Sequence, residues 1–194
     1  MLYNGVELHD YRTATPFRAE APTIFFCGRH EERKGLDVLL AAMAQLGPEV
    51  RLWVASNGPD TERLREQTKA DTRIEWLGRL SDEEKIARLK GADVFCAPSL
   101  HGESFGVVLI EAMAAGTCVV ASALDGYRNV ATDGVDSLLV PPGDADALAA
   151  AIGYQAVRMS IRASEAESDM NIEVVRQELL EFLKAVESNP HGST

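Results

Sequence analysis

Short, wholly apolar runs alternate along this chain with longer stretches that are apolar on one side only. Thr23-Ile24-Phe25-Phe26-Cys27 is the first such run, apolar on both faces as a central parallel strand must be. A charged loop from Gly28 to Gly35 separates it from Leu36, Leu39, Leu40 and Met43, whose helical spacing predicts a helix from Leu36 to about Leu46. The alternation then repeats. Val50–Ala55 reads as a strand, Asn57-Gly58-Pro59 as a turn, residues 61–69 as a charged helix and Arg73–Leu77 as a strand. Ser81-Asp82-Glu83-Glu84 is a capping box, in which the serine accepts from an early N–H while Glu84 reaches back, and it opens a helix to Lys90. Ala92–Pro98 and Thr117–Ala121 are strand-like runs on either side of a further helix. Asp125-Gly126 turns into a short helix, Ser137–Val140 is a last strand, and Asp144 caps a helix to about Ile152.

Strands that alternate with helices are joined by right-handed βαβ crossovers. The pattern therefore predicts an α/β fold, a single Rossmann-like doubly wound parallel sheet with helices on both faces, over residues 23–152. Ligands of such sheets lie beyond the carboxyl ends of the strands. The loops Arg29–Lys34, Arg79–Lys85 and Leu100–Phe105 fall on that edge by topology alone. Residues 1–22 contain Asn4-Gly5, Pro16 and Pro22 without a core-forming period, the pattern of a connector. Residues 153–187 read as a helical segment, polar at first and then amphipathic through Ile172, Val175, Leu179, Phe182 and Val186, and residues 188–194 as a disordered tail.

The densest chemistry lies between His101 and Gly116. Val107, Ile110, Met113 and Ala114 recur at helical spacing, with Ser104 as the expected N-cap and Gly116 as the terminator. A helix N-terminus presents unpaired N–H groups and the positive end of a dipole, which suits a phosphate. Glu103 stands where such a ligand would arrive, and Glu111 two turns further on. Eight helical residues span about 12 Å, beyond the roughly 5–9.5 Å of paired hydrolase carboxylates. The two glutamates are better read as holding different parts of one long ligand than as a glycosidase pair.

Composition narrows the classes. The chain has 194 residues, 46% of them hydrophobic and 25% charged, enough for one domain with a real core. A net charge of −11 argues against a nucleic-acid partner. Cys27, Cys96 and Cys118 sit singly in apolar runs, which reads as buried reduced thiols of a cytoplasmic protein, neither a disulfide frame nor a metal site. No signal peptide is visible, and charges interrupt every long apolar run before it reaches membrane-spanning length. Neither a P-loop nor a dinucleotide fingerprint occurs, and H-E-x-x-H and C-x-x-C are also missing from the sequence.

Each candidate has a plain alternative. Arg29 and Lys34, on a strand-end loop closed by Gly35, form either a solvated loop or a cationic clamp on a diphosphate, arginine gripping two oxygens and lysine acting as a point charge. Glu103 is either a favourable charge at a helix start or a ligand group. Glu111 lies among Leu109, Ile110 and Met113, where an unpaired carboxylate is costly. It needs ribose hydroxyls or a salt bridge to a neighbouring strand. His30 and His101 read as loop residues, not as bases, His9 and His191 fall in flexible segments, and Trp53 and Trp76 read as core.

Taken together, Gly28-Arg29…Lys34-Gly35, Gly78-Arg79-Leu80 and Glu103-Ser104-Phe105-Gly106…Glu111-Ala112-Met113-Ala114-Ala115-Gly116 resemble the nucleotide-binding half of retaining family 4 glycosyltransferases. Cys96-Ala97-Pro98, with the glutamate stretch and Thr117, is most similar to the phosphatidylinositol mannosyltransferase branch. The resemblance covers roughly residues 3–152. It implies half of a GT-B architecture, in which two Rossmann-like domains face across a cleft. It further implies that Arg29 and Lys34 grip the donor diphosphate and that Glu103 holds sugar hydroxyls. Ser104, Phe105, Gly106 and Val107 would line sugar and phosphates, Glu111 would take the ribose, and Leu80 and Lys85 would sit near the base. Arg29, Lys34 and Glu103 would carry the catalytic role, with no metal or cofactor. The implied donor is GDP-mannose or a UDP-sugar. Asn4-Gly5-Val6-Glu7 resembles the family's crossing between domains, which places a missing N-terminal acceptor domain before Met1. That domain would carry any peripheral membrane contact. The chain is therefore expected to bind a nucleotide-sugar and to transfer little or none by itself.

Overall fold

The computed structural model describes residues 7–17 and 20–155. Their strands are β1 (Thr23–Cys27), β2 (Arg51–Ala55), β3 (Ile74–Gly78), β4 (Val94–Ala97), β5 (Cys118–Ser122) and β6 (Ser137–Val140). Their helices are α1 (Leu8–Thr13), α2 (Leu36–Met43), α3 (Thr61–Thr68), α4 (Asp82–Gly91), α5 (Val107–Ala115), α6 (Asp125–Arg128) and α7 (residues 145–155). A single 3-10 turn, Glu32–Lys34, precedes α2. All strand pairs are parallel and the order is β3-β2-β1-β4-β5-β6, the doubly wound sheet expected from the pattern. The strand order reverses between β1 and β4, so the crevice at their carboxyl ends is where such a fold offers a ligand site.

Period-two alternation along each strand sorts the side chains onto two faces. On one, Ile24, Phe26, Leu52, Val54, Val94, Cys96 and Val120 meet Leu36, Leu39 and Met43 of α2 and Leu148 and Ile152 of α7. On the other, Phe25, Trp53, Phe95, Val119 and Ala121 meet Ile86 and Leu89 of α4 and Leu109 and Ala112 of α5. Trp53 is core, as expected, whereas Trp76 on the edge strand is only partly buried. Cys96 is fully buried, Cys27 and Cys118 are partly buried, and none of the three is in a disulfide.

Three local expectations are corrected. α2 ends at Met43, three residues early, because residues 44–46 bend into a turn whose carbonyls at Met43, Leu46 and Gly47 accept from Arg73. The stretch before β1, read as free of core-forming period, carries α1, and the buried Tyr11 of that helix joins the second face. Phe17 stacks edge-on against Trp53 at 5.6 Å, with the Arg88 guanidinium 3.7 Å and 4.3 Å from the two ring centres. Local periodicity could not show this, because both contacts are long-range in sequence. Third, Ser104 does not cap α5. The N-cap is Gly106 in the left-handed region (φ 74°), so Glu103 lies in a loop and not on the helix. The separation of 12 Å read along a helix axis therefore does not apply to Glu103 and Glu111. The Ser81–Glu84 capping box and the Gly116 terminator (φ 78°) are found as expected. The helical segment from residue 156 onward and the tail at 188–194 lie outside the described residues, as does Asn4-Gly5.

Candidate functional site

The loops after β1 and β4 meet at the switch point because they are pinned backbone to backbone. Leu100 donates its N–H to the Arg33 carbonyl at 2.8 Å. Gly35, left-handed at φ 64°, lies so close beneath Pro98 that a Cβ there would fall 2.0 Å from the Pro98 carbonyl oxygen. Only glycine meets both demands. This close approach carries Lys34, on the 3-10 turn, to Glu103: Nζ donates to Oε1 at 2.5 Å. The lysine is 18% and the carboxylate 11% exposed, so the pair is sheltered but still open to solvent at the rim.

A chain of charge runs outward from it. The Arg33 guanidinium is 3.5 Å from the same Oε1 of Glu103 and 2.7 Å from Glu31, which also meets Arg29 at 3.1 Å. The basic loop is thus the end of a cationic track that Glu31 and Glu103 neutralise. Arg29 is at its outer, exposed end and reaches Glu103 only through Glu31 and Arg33. Ser99 Oγ donates to Glu103 Oε1 at 3.1 Å and stands 3.0 Å from the Tyr127 hydroxyl. Burial pushes the Tyr127 phenol far above its ordinary range.

A second charged pair lies on the α4–α5 side. Lys85 Nζ donates to Glu111 Oε1 at 2.8 Å. Burial alone would lower the lysine's pKa, but the hydrogen bond and charge of Glu111 outweigh it and the net direction is up. Glu111 therefore has the salt-bridge partner that its apolar helix required, supplied by a helix and not by the neighbouring strand. Burial, and then the Glu111 charge, raises Tyr11. Cys27, also near this pair, is pushed up to about 11 by burial and stays a thiol at neutral pH.

His30 is a loop residue but not a loose one. It is 1% exposed, its Nε2 lies 3.2 Å from the Ala55 carbonyl, and its Nδ1 is 2.8 Å from the Thr61 hydroxyl. Leu80 packs against the second face, and Phe105 is 37% exposed at the rim. Ser104 and Phe105 continue the loop, while Gly106 and Val107 open α5 toward it. Sequence reading missed Arg33, Ser99 and Tyr127. Arg33 was within its reach as a third cation beside Lys34, but nothing in the spacing of Ser99 and Tyr127 foretold that they meet. Among the described residues, no group of three metal-ligating side chains converges. In the same residues no helix is long and apolar enough to cross a membrane.

The doubly wound sheet with a charged cluster at its switch point defines a Rossmann-like α/β domain. A sequence profile of the Glycosyl transferases group 1 family matches residues 21–155, and the chain belongs to that family. It is 45% identical over 157 residues to a phosphatidyl-myo-inositol mannosyltransferase of Mycolicibacterium smegmatis, an alignment covering 77% of this chain and 40% of that protein. With the enzyme of the same name from Mycobacterium leprae it shares 46% identity over 158 residues, covering 77% and 42% respectively. The chain thus spans about two fifths of the length of the curated relatives it matches. The structure of Anabaena Alr3699/HepE in complex with UDP-glucose superposes with a TM-score of 0.72 at 23% identity, over 95% of this chain and 57% of that one. The fold is accordingly one Rossmann-like half of a GT-B architecture.

Proposed function

We propose that this chain is the donor-binding domain of a retaining glycosyltransferase that passes mannose from GDP-mannose to a lipid or glycan acceptor. The carrying observation is the Lys34–Glu103 pair at the switch point, in a chain with mannosyltransferase relatives 41–46% identical. In this reading the pair opens for the donor. Lys34 and Arg29 turn to the diphosphate, Glu103 accepts from sugar hydroxyls, and the N-terminus of α5 with Ser104, Phe105, Gly106 and Val107 lines sugar and phosphates. Glu111 releases Lys85 and takes the ribose, while Lys85 and Leu80 flank the base. The bond between the sugar's C1 and the phosphate oxygen breaks as the acceptor oxygen joins C1 on the same face, and the acceptor's proton passes to the departing diphosphate. Arg29 and Lys34 stabilise the charge that grows on that leaving group, which is preorganised electrostatic catalysis.

The acceptor site belongs to a second domain, whose closure over the donor would exclude water and carry any contact with a membrane surface. The chain alone therefore binds donor without transferring it. A UDP-sugar is the second reading, favoured by the fold's likeness to a protein crystallised with UDP-glucose. Titration calorimetry of the chain with GDP, GDP-mannose, UDP and UDP-glucose tests both. Tighter binding of the GDP pair supports the first, tighter binding of the UDP pair replaces it with the second, and no binding of any of the four defeats the donor-domain reading.

A further inference from the structure

The short helix α6 lies against the back of the Glu103 loop at two separate points. The first is through side chains. Glu103, ion-paired to Lys34, is an acceptor-only carboxylate, so the single hydroxyl proton of Ser99 points to its Oε1 at 3.1 Å. That leaves Ser99 Oγ as acceptor for Tyr127, whose hydroxyl at 3.0 Å must then be the donor. The direction of the chain is fixed: Tyr127 to Ser99 to Glu103. Ser99 is 2% and Tyr127 1% exposed, so water does not compete for these bonds. The second point is main chain. A Cβ on Gly126 would fall 1.9 Å from the Glu103 carbonyl oxygen and 3.1 Å from the Ser104 nitrogen, so α6 touches the backbone that carries the carboxylate.

Among the described residues, the side-chain hydrogen bonds to the Glu103 carboxylate, from Lys34 and Ser99, both fall on Oε1, which is also the oxygen nearest Arg33. We infer that α6 is the positioning element of Glu103: Tyr127, acting through Ser99, and Gly126, acting on the backbone, hold Oε1 inward so that Oε2 faces the donor's hexose. This rests on the reading of Glu103 as the sugar-binding carboxylate. Tyr127 and Ser99 touch no substrate, and their effect is confined to the sugar end of the donor. The raised pKa of the Tyr127 phenol keeps it a donor throughout the neutral range.

Calorimetry on the 194-residue chain tests this with GDP against GDP-mannose and UDP against UDP-glucose, using Tyr127→Phe, Ser99→Ala and Glu103→Gln. Tyr127→Phe and Ser99→Ala should each weaken the nucleotide-sugar by about three- to tenfold, the scale of one ordinary hydrogen bond, and change the bare nucleoside diphosphate by less than about twofold. A merely structural role would lower both ligands together. Equal losses on both, or no loss on either, overturn the inference. If Tyr127→Phe does not fold, Ser99→Ala, which deletes only the middle hydroxyl, decides. Glu103→Gln separates the two levels. If it removes the sugar's share of the affinity and the hydroxyl variants do not, the positioning role fails alone. If it leaves that share intact, the sugar-binding reading of Glu103 fails and the positioning role falls with it.

Discussion

At the scale of single residues, the site consists of charges that already have partners. Lys34 is held by Glu103 and Lys85 by Glu111, so on the proposed reading a donor would exchange one set of ionic contacts for another. Truncating Glu103 leaves the sheltered Lys34 ammonium without its carboxylate, and truncating Glu111 leaves Lys85 only the exposed Asp82 at 3.6 Å, so each should cost stability. Glu111→Gln keeps the shape and removes the charge. It should weaken nucleotide binding at least about tenfold by calorimetry if the ribose is held there, since hydrogen bonds to a charged group are worth about 1.5–3 kcal/mol. His30 gives a prediction of another kind. Burial, opposed by its bond to the Ala55 carbonyl and by the Asp60 charge, lowers its pKa below the ordinary value near 6.5. In the window just below that value the unfolded chain binds the proton more readily than the folded one, so stability falls as pH falls. The contribution is complete above about pH 6.5 and is lost on going down through the folded-state pKa. Urea unfolding between pH 7.5 and 5.5 should show that decline, and His30→Gln should flatten it.

At the scale of elements, two glycine contacts and one cap decide the loop geometry. Gly35→Ala demands a left-handed alanine whose Cβ would meet the Pro98 carbonyl at 2.0 Å. The β4 loop must shift, which should cost upwards of about 1–2 kcal/mol in urea unfolding and separate Lys34 from Glu103, so donor affinity falls too. Ser81→Ala removes the hydroxyl that accepts from the Glu84 N–H and should cost about 1 kcal/mol with little effect on binding, since the box lies outside the charged pairs. Leu39 of α2 is fully buried between helix and sheet, and Leu39→Ala should cost about 3 kcal/mol. The elements themselves were legible: strand runs apolar on both faces and helices with one apolar stripe are local signals. The start of α5 was not. Ser104 looks like an N-cap in sequence, yet residues 101–106 serve to bring Glu103 to Lys34, and that tertiary demand moves the helix start to Gly106.

At the scale of the molecule, the matched length matters most. The aligned segment is 40% of the smegmatis relative, and the proposed reading assigns the acceptor site to a second domain. The chain alone should show no sugar transfer above the no-enzyme rate in a radiolabelled donor assay, and supplying an acceptor domain in the same chain should restore it. Transfer by the isolated chain would disprove the division of labour. Sequence by itself determined the α/β class, the order of elements, the edge of the sheet where ligands gather, and the loops bearing Arg29, Lys34 and Glu103. Each of these follows from periodicity or from a βαβ handedness rule that needs no coordinates. Only the tertiary structure decided which charges meet: Glu103 with Lys34, Glu111 with Lys85, and Glu103 with Ser99 and, beyond it, Tyr127. The reason is physical. Lys34 and Glu103, 69 positions apart, meet because two loops approach closely where Gly35 and Gly126 carry no side chain, and Lys85 and Glu111, 26 apart, meet where α4 packs on α5; no hydrophobic pattern records either.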